Sequence, residues 1–262
     1  MHKQVVWITG ASSGIGKALA EQYAAQGASV VLAARRVDVL NALVAQLPSP
    51  ERHMAVYLDL LQRDSFDTAL HQVLTRYGRI DVLINNAGIS QRALISETTM
   101  ETERRLMEVD YFAQVELTKL LLPQFEKQAS GQIAFVSSIA GLLGTQYRAS
   151  YSAAKAALHM WANSLRAEVA EKGIQVAVIF PGFVQTDVSI NALNGKGEAQ
   201  GYDNEATANG LTAQDFAQQT LTALNKGKEY IVVGGPKEKL GVVVSRLAPP
   251  LLYKMIRKMK VK

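Results

Sequence analysis

Tyr151 and Lys155 stand four residues apart in Tyr151-Ser152-Ala153-Ala154-Lys155. On a helix that spacing places a phenol and an ammonium on one face, one turn apart. A phenol titrates near ~10 and is a weak acid–base group at neutral pH, but an adjacent cation favours the phenolate and brings proton transfer into working range. Ser138, just past the apolar run Gln132–Val136, adds a hydroxyl that can donate a hydrogen bond. A carbonyl that accepts hydride on carbon gathers negative charge on oxygen, so it needs a donor at that oxygen and a source of protons. Ser138 fits the first need and Tyr151 the second, giving the proton in reduction and taking it in oxidation. Taken alone, a tyrosine and a lysine at this spacing are usually just a solvated helix face, so the elements around them must decide.

Near the N-terminus the apolar run Val5–Thr9 leads into Gly10-Ala11-Ser12-Ser13-Gly14-Ile15-Gly16 and then a helical pattern from Lys17 to Gln26. This reads as strand, glycine turn, helix. Glycine removes side chains between backbone and ligand, and the helix start offers free N–H groups and a positive dipole end to a pyrophosphate. The spacing is Gly-x3-Gly-x-Gly, a dinucleotide cradle rather than a generic tight turn once its flanking strand and helix are counted.

The pattern then repeats. Strands are expected at Ser29–Ala34, Met54–Leu58 and Ile80–Ile84, with helices to Leu47 and from Ser65 to Tyr77. Alternating strands and helices imply an α/β fold: a doubly wound, Rossmann-type parallel sheet covered by helices on both faces. Ligands on such sheets lie beyond the carboxyl ends of the strands, where the strand order reverses. After the second strand the chain reads Ala33-Ala34-Arg35-Arg36. An acidic residue there would select the free ribose hydroxyl of NAD; two arginines instead suit the 2′-phosphate of NADP, so the expected cofactor is NADP(H).

Over residues 3 to 235 the chain resembles the short-chain dehydrogenase/reductase family in its single-domain branch. Thr9–Gly16 is similar to the family's cofactor loop, which assigns cofactor contacts to Gly10, Ser12, Ser13, Gly14, Ile15 and Gly16. Asp59-Leu60 resembles its adenine contact, and Asn85-Asn86-Ala87-Gly88 the motif that stabilises the central sheet, with Asn86, Ala87 and Gly88 on the cofactor side. Ser138 lies thirteen residues before Tyr151, as the family's catalytic serine does. Pro181-Gly182, followed by Val184 and Thr186, is similar to the nicotinamide-side loop. The resemblance implies that Lys155 also bonds the nicotinamide ribose. One position departs: Asp110, in Met107–Phe112, stands where the family places an asparagine whose main-chain carbonyl holds a water linked to the lysine. A carboxylate there loses two donors and adds a charge that partly offsets the effect of Lys155 on Tyr151.

Composition narrows the alternatives. With 262 residues, 48% of them hydrophobic, and no linker or repeat, the chain reads as one domain. It has no cysteine, and His2, His53, His71 and His159 are too scattered for a metal cluster, so the chemistry must come from an organic cofactor. Neither a signal peptide nor a spanning run is read, which makes a cytoplasmic location the default.

Residues 188–211 are rich in glycine, asparagine and polar side chains, and the resemblance implies a mobile lid over the substrate; weak local packing is the expectation. Ile190, Ala192, Leu193 and Tyr202 in it, and Ile89, Leu142, Leu143, Tyr147 and Phe183 near the nicotinamide, suggest a lipophilic carbonyl or alcohol substrate. Thr212 and Asp215 open a last core helix to Lys226 in capping-box arrangement, followed by the strand Tyr230–Val233. Beyond it, residues 239–262 hold seven cations and no acid, so the net charge of +5 is a property of this tail and residues 1–238 are slightly acidic. A nucleic-acid-binding core is excluded on that ground. Behind Pro249-Pro250 the tail reads as a basic amphipathic helix, fit for an anionic membrane, for a neighbouring subunit or for the substrate pocket. The resemblance implies a homodimer or homotetramer. Two functions follow: a carbonyl-reducing or alcohol-oxidising enzyme, or a non-catalytic dinucleotide-binding regulator on the same scaffold.

Overall fold

The computed structural model describes residues 3–202 and 205–257. The chain runs β1 (Val5–Thr9), α1 (Gly14–Ala25), β2 (Ser29–Ala34), α2 (Val37–Gln46), β3 (Met54–Tyr57), α3 (Asp64–Tyr77) and β4 (Val82–Asn85). It continues through α4 (Met100–Met107), a π-helical turn at Glu108–Phe112, α5 (Ala113–Gln128), β5 (Gly131–Val136), α6 (Ala149–Val169) and β6 (Ile174–Pro181). Then follow α7 (Glu205–Ala208), α8 (Ala213–Asn225), β7 (Tyr230–Val233), α9 (Pro236–Leu247) and α10 (Pro249–Ile256).

Among the described residues seven strands form one sheet in the order β3-β2-β1-β4-β5-β6-β7, every pair parallel. The order reverses between β1 and β4, which opens the crevice there. Near-continuous apolar strands are what a sheet buried on both faces requires. Val5 and Trp7 of β1 with Val178 and Phe180 of β6 pack against the side built by α3, α5 and α6. Val6 and Ile8 with Ala177 and Ile179 pack against α1, α2 and α8 on the other.

At the start of β4 and in the C-terminal region the structure departs from the sequence reading for local reasons. Ile80 is buried but precedes β4, because its N–H and C=O are both taken by the Gln128 side chain (3.2 and 2.7 Å) rather than by a neighbouring strand. The C-terminal region is two helices, not one. α9 already starts at Pro236, and the backbone breaks at Ala248 (φ −143°, ψ 61°) before Pro249 and Pro250 start α10. Lys258, Met259, Lys260 and Lys262 of the basic tail, Asp203 and Asn204 of the expected lid, and His2 lie outside the described residues.

Candidate active site

The glycine loop is held open by glycine alone. Gly10 has φ +67°, and a Cβ there would lie 2.8 Å from the Ala87 Cα; at Gly16 it would lie 2.4 Å from the Gly10 carbonyl oxygen. No L side chain fits either place. Thr9 Oγ1 accepts from the N–H groups of Asn86 and Ala87 (3.0 and 2.9 Å), and the Asn86 amide donates to the Thr9 carbonyl (2.8 Å), so β1 and the end of β4 are laced together. Ser13 is the N-cap of α1, but its hydroxyl makes no capping bond, and no acidic residue occupies the first turn of α1. The amide end at Gly14, Ile15 and Gly16 is thus left for an anion. A Cβ on Gly14 would meet the Thr186 Cγ2 at 3.0 Å, so the loop after Pro181-Gly182 closes the cradle from its far side.

At the end of β2, Arg35 and Arg36 are both exposed. An Arg36 Nη donates to Ser12 Oγ at 2.9 Å, joining the arginine to the glycine loop where a ribose 2′-phosphate would stand. Asp59 sits at the end of β3, and its Oδ1 accepts from its own neighbour Leu61 N–H (3.0 Å), which shapes the turn; Leu60 beside it is buried.

Lys155 is 3% exposed. Its Nζ donates to the Val136 carbonyl at 3.2 Å, lies 5.8 Å from the Tyr151 ring centroid and 3.9 Å from Asp110 Oδ1. Ser137 Oγ donates to the Lys155 carbonyl (2.9 Å), and a Cβ on Gly141 would lie 2.8 Å from the Lys155 carbonyl carbon, so the end of β5 is packed on the first turns of α6. Ser138 is half-buried at that end and its Oγ accepts from Ala140 N–H (3.1 Å). Asp110, in the π-helical turn, is fully buried. Its Oδ1 accepts from Ile89 N–H (2.8 Å), and its Oδ2 has no hydrogen-bonding partner among the described residues. Burial pushes its carboxyl up to about 6, against the opposing pull of Lys155 and the Ile89 N–H. Gly88 leaves the space over this pair, where a Cβ would stand 2.7 Å from Asp110 Oδ1 and 3.1 Å from Lys155 Nζ.

Arg148 was not singled out by its residue type, although it lies three residues before Tyr151. Its guanidinium stands 5.7 Å from the Tyr151 ring centroid and gives a long hydrogen bond (3.5 Å) to Ser90 Oγ. Burial pulls its pKa below the ordinary arginine value while Tyr151 pushes it back up. Tyr147, just before it, has φ +64°, a left-handed conformation costly for a bulky residue, and its carbonyl accepts from Ala93 N–H (3.1 Å). Ile89, Leu142, Leu143, Tyr147 and Phe183 are all half-buried. The stretch read as loosely packed is in part tightly tied. Ala192 and Leu193 are buried, Leu193 exchanges backbone bonds with Ser90 and Arg92, and Gly195 accepts from Thr99 N–H. Its asparagine and glycine build a turn instead of loosening one: Asn194 Oδ1 caps the N–H groups of Lys196 and Glu198, and a Cβ on Gly195 would strike the Glu97 carbonyl. His53 is structural, held between Val30 N–H and the Pro48 carbonyl. No metal-binding cluster occurs among the described residues.

Residues 4–196 match the family model described as short chain dehydrogenase. The chain is 39% identical to the dehydrogenase/reductase SDR family protein 7-like of Drosophila melanogaster, over 99% of this chain and 81% of that protein. A short-chain dehydrogenase from Streptomyces avermitilis superposes with a TM-score of 0.79 at 32% identity, covering 98% of both chains. A short-chain dehydrogenase/reductase from Burkholderia phymatum, solved in complex with NAD, shares the fold with a TM-score of 0.84 at 22% identity, covering 98% of this chain and 97% of that one. The chain belongs to the short-chain dehydrogenase/reductase family and is an oxidoreductase of that family.

Proposed function

We propose that the protein is an NADP(H)-dependent carbonyl reductase or alcohol dehydrogenase acting on a lipophilic ketone or alcohol. The observation that carries this is the buried ammonium of Lys155, fixed on the Val136 carbonyl beside the Tyr151 ring at the carboxyl end of β5. Burying an ammonium is costly, and a surface role would not require it.

The cofactor, when bound, supplies or accepts the hydride. Gly10, Gly14 and Gly16 give the pyrophosphate room against the backbone, and the uncapped start of α1 faces it with N–H groups. Arg36, which donates to Ser12, and Arg35 beside it would hold the ribose 2′-phosphate through charge-assisted bonds. Asp59 and Leu60 border the adenine, and Asn86, Ala87, Gly88, Pro181, Gly182, Val184 and Thr186 line the path to the nicotinamide.

Ser138 donates to the substrate oxygen, and Tyr151 passes its phenolic proton to that oxygen as negative charge gathers there. Lys155 supports the phenolate that remains and would bond the nicotinamide ribose. Asp110 draws on the same ammonium from 3.9 Å, which makes it a positioning residue that weakens this support whenever it is ionised.

The test is NADPH oxidation across ketones, aldehydes, ketosteroids and 3-oxoacyl thioesters. Wild type consumes NADPH with at least one class, and Tyr151→Phe consumes none while still binding NADPH. A wild type that binds NADPH but reduces none of the panel supports the non-catalytic regulator instead.

A further inference from the structure

The two terminal helices carry an apolar face that nothing in the described fold covers. Val242 and Leu252 anchor α9 and α10 to the body, but Leu240, Val243, Leu247, Leu251, Tyr253 and Met255 are exposed, Leu247 by 81%. Single exposed apolar residues are ordinary, but at helical spacing Leu240, Val243 and Leu247 share one face of α9, and Leu251 and Met255 share one face of α10. No helix among the described residues is long and apolar enough to cross a membrane.

Charge decides between occupants. Lys239, Arg246 and Lys254 each directly precede one of the exposed residues Leu240, Leu247 and Met255. Helical neighbours are ~100° apart, so these cations flank the apolar row and do not oppose it. Arg246 also stacks over Tyr230 at 4.3 Å. From Lys239 to the last residue the sequence has no acid, and Arg257, Lys258, Lys260 and Lys262 follow the patch. A second copy meeting this face across a two-fold axis would bring cations against cations. An anionic bilayer instead takes the apolar row at its acyl boundary and the flanking cations among its headgroups.

The other side of α9 adjoins the candidate active site. α9 starts from the carboxyl end of β7, where a Cβ on Gly182 would meet Gly234 and Glu238 at 3.1 Å, and a Cβ on Gly241 would touch Leu143 at 3.9 Å. We infer that α9 and α10 dock the protein on an anionic lipid surface and that the adjoining cleft draws a lipophilic carbonyl substrate from that bilayer; the second clause rests on the proposed function.

Co-sedimentation of the full chain with vesicles tests the docking without any turnover. Wild type pellets with phosphatidylcholine/phosphatidylserine vesicles, much less with phosphatidylcholine alone, and less as salt rises. The double variant Leu247→Glu/Leu251→Glu loses at least about tenfold of the binding, and Lys254→Glu/Arg257→Glu loses it without touching the apolar row. Unchanged NADPH binding shows that the variants are folded. Wild type left in the supernatant with anionic vesicles overturns the inference, as do variants that pellet like wild type or a solution dimer that dissociates in the variants without any vesicle binding. For the substrate clause, the double variant loses kcat/KM toward a ketone dissolved in vesicles and keeps it toward a water-soluble ketone; an equal change for both overturns that clause and leaves the docking standing.

Discussion

Asp110 and Lys155 face each other at 3.9 Å, one fully buried and the other 3% exposed, and their separation is too long for a tight ion pair. The carboxyl is raised to about 6, so the folded state holds its proton more firmly than the unfolded chain does. Stability attributable to this group therefore falls as pH rises from the ordinary carboxylate range through about 6, and the penalty is complete above that. Asp110→Asn removes it: the variant should be more stable than wild type at pH 7.5, on the order of 3 kcal/mol, with the gain fading below about pH 4. Urea midpoints at both pH values check this.

The same substitution bears on rate. Ionised Asp110 competes for the charge of Lys155, so Asp110→Asn should turn over faster at neutral pH, and the limb of the pH–rate profile near 6 should disappear. Identical profiles for the two proteins would remove Asp110 from the mechanism.

Arg36 donates to Ser12 in the glycine loop, and on the proposed function this pair would meet the ribose 2′-phosphate. Arg36→Ala should raise the KM for NADPH by roughly tenfold to a hundredfold, the loss of one charge-assisted contact, and leave NADH nearly unchanged. Steady-state kinetics with both nucleotides measures it; a native preference for NADH would reject the assignment of Arg35 and Arg36.

Two glycines should respond differently to alanine. At Gly16 the new methyl would overlap the Gly10 carbonyl oxygen at 2.4 Å, so Gly16→Ala should displace the loop, cost about 1–3 kcal/mol and abolish nucleotide binding. At Gly27, with φ +85° and nothing within 4 Å, only backbone strain of about 1–2 kcal/mol is added, and binding survives. Thermal melts with and without NADPH separate the two.

Ala129 ends α5 with φ +48°, a left-handed residue that is exposed and not glycine. Ala129→Gly should stabilise the fold by about 1 kcal/mol, read as a Tm increase of about 2–4 °C for a domain of this size.

The sheet was legible because both-faces-buried strands write themselves as apolar runs: β1, β2 and β7 fall where Val5–Thr9, Ser29–Ala34 and Tyr230–Val233 were read. The helix α1 starts at Gly14, not Lys17: Gly14 enters it from a left-handed conformation (φ +52°) that glycine allows, and Gly16 already lies within its first turn. What stayed hidden depends on tertiary partners. The π-helical turn at Glu108–Phe112 has no residue-type signal, and neither the left-handed Tyr147 nor the seat of Arg148 against Tyr151 follows from spacing alone. The stretch around Asn194 looked loose by composition because asparagine and glycine serve slack loops and tight turns alike; only its bonds to Ser90, Arg92 and Thr99 distinguish them.

The approach of Gly14 to Thr186 joins two stretches from opposite halves of the polypeptide, and neither can find the other until β1 and β6 share one sheet. An emerging chain carries its glycines early but gains a closed cradle only after the sixth strand has joined the sheet, so a nucleotide bound there as proposed would find its full site late. Such a ligand would act as a clasp that favours finished molecules over partly folded ones.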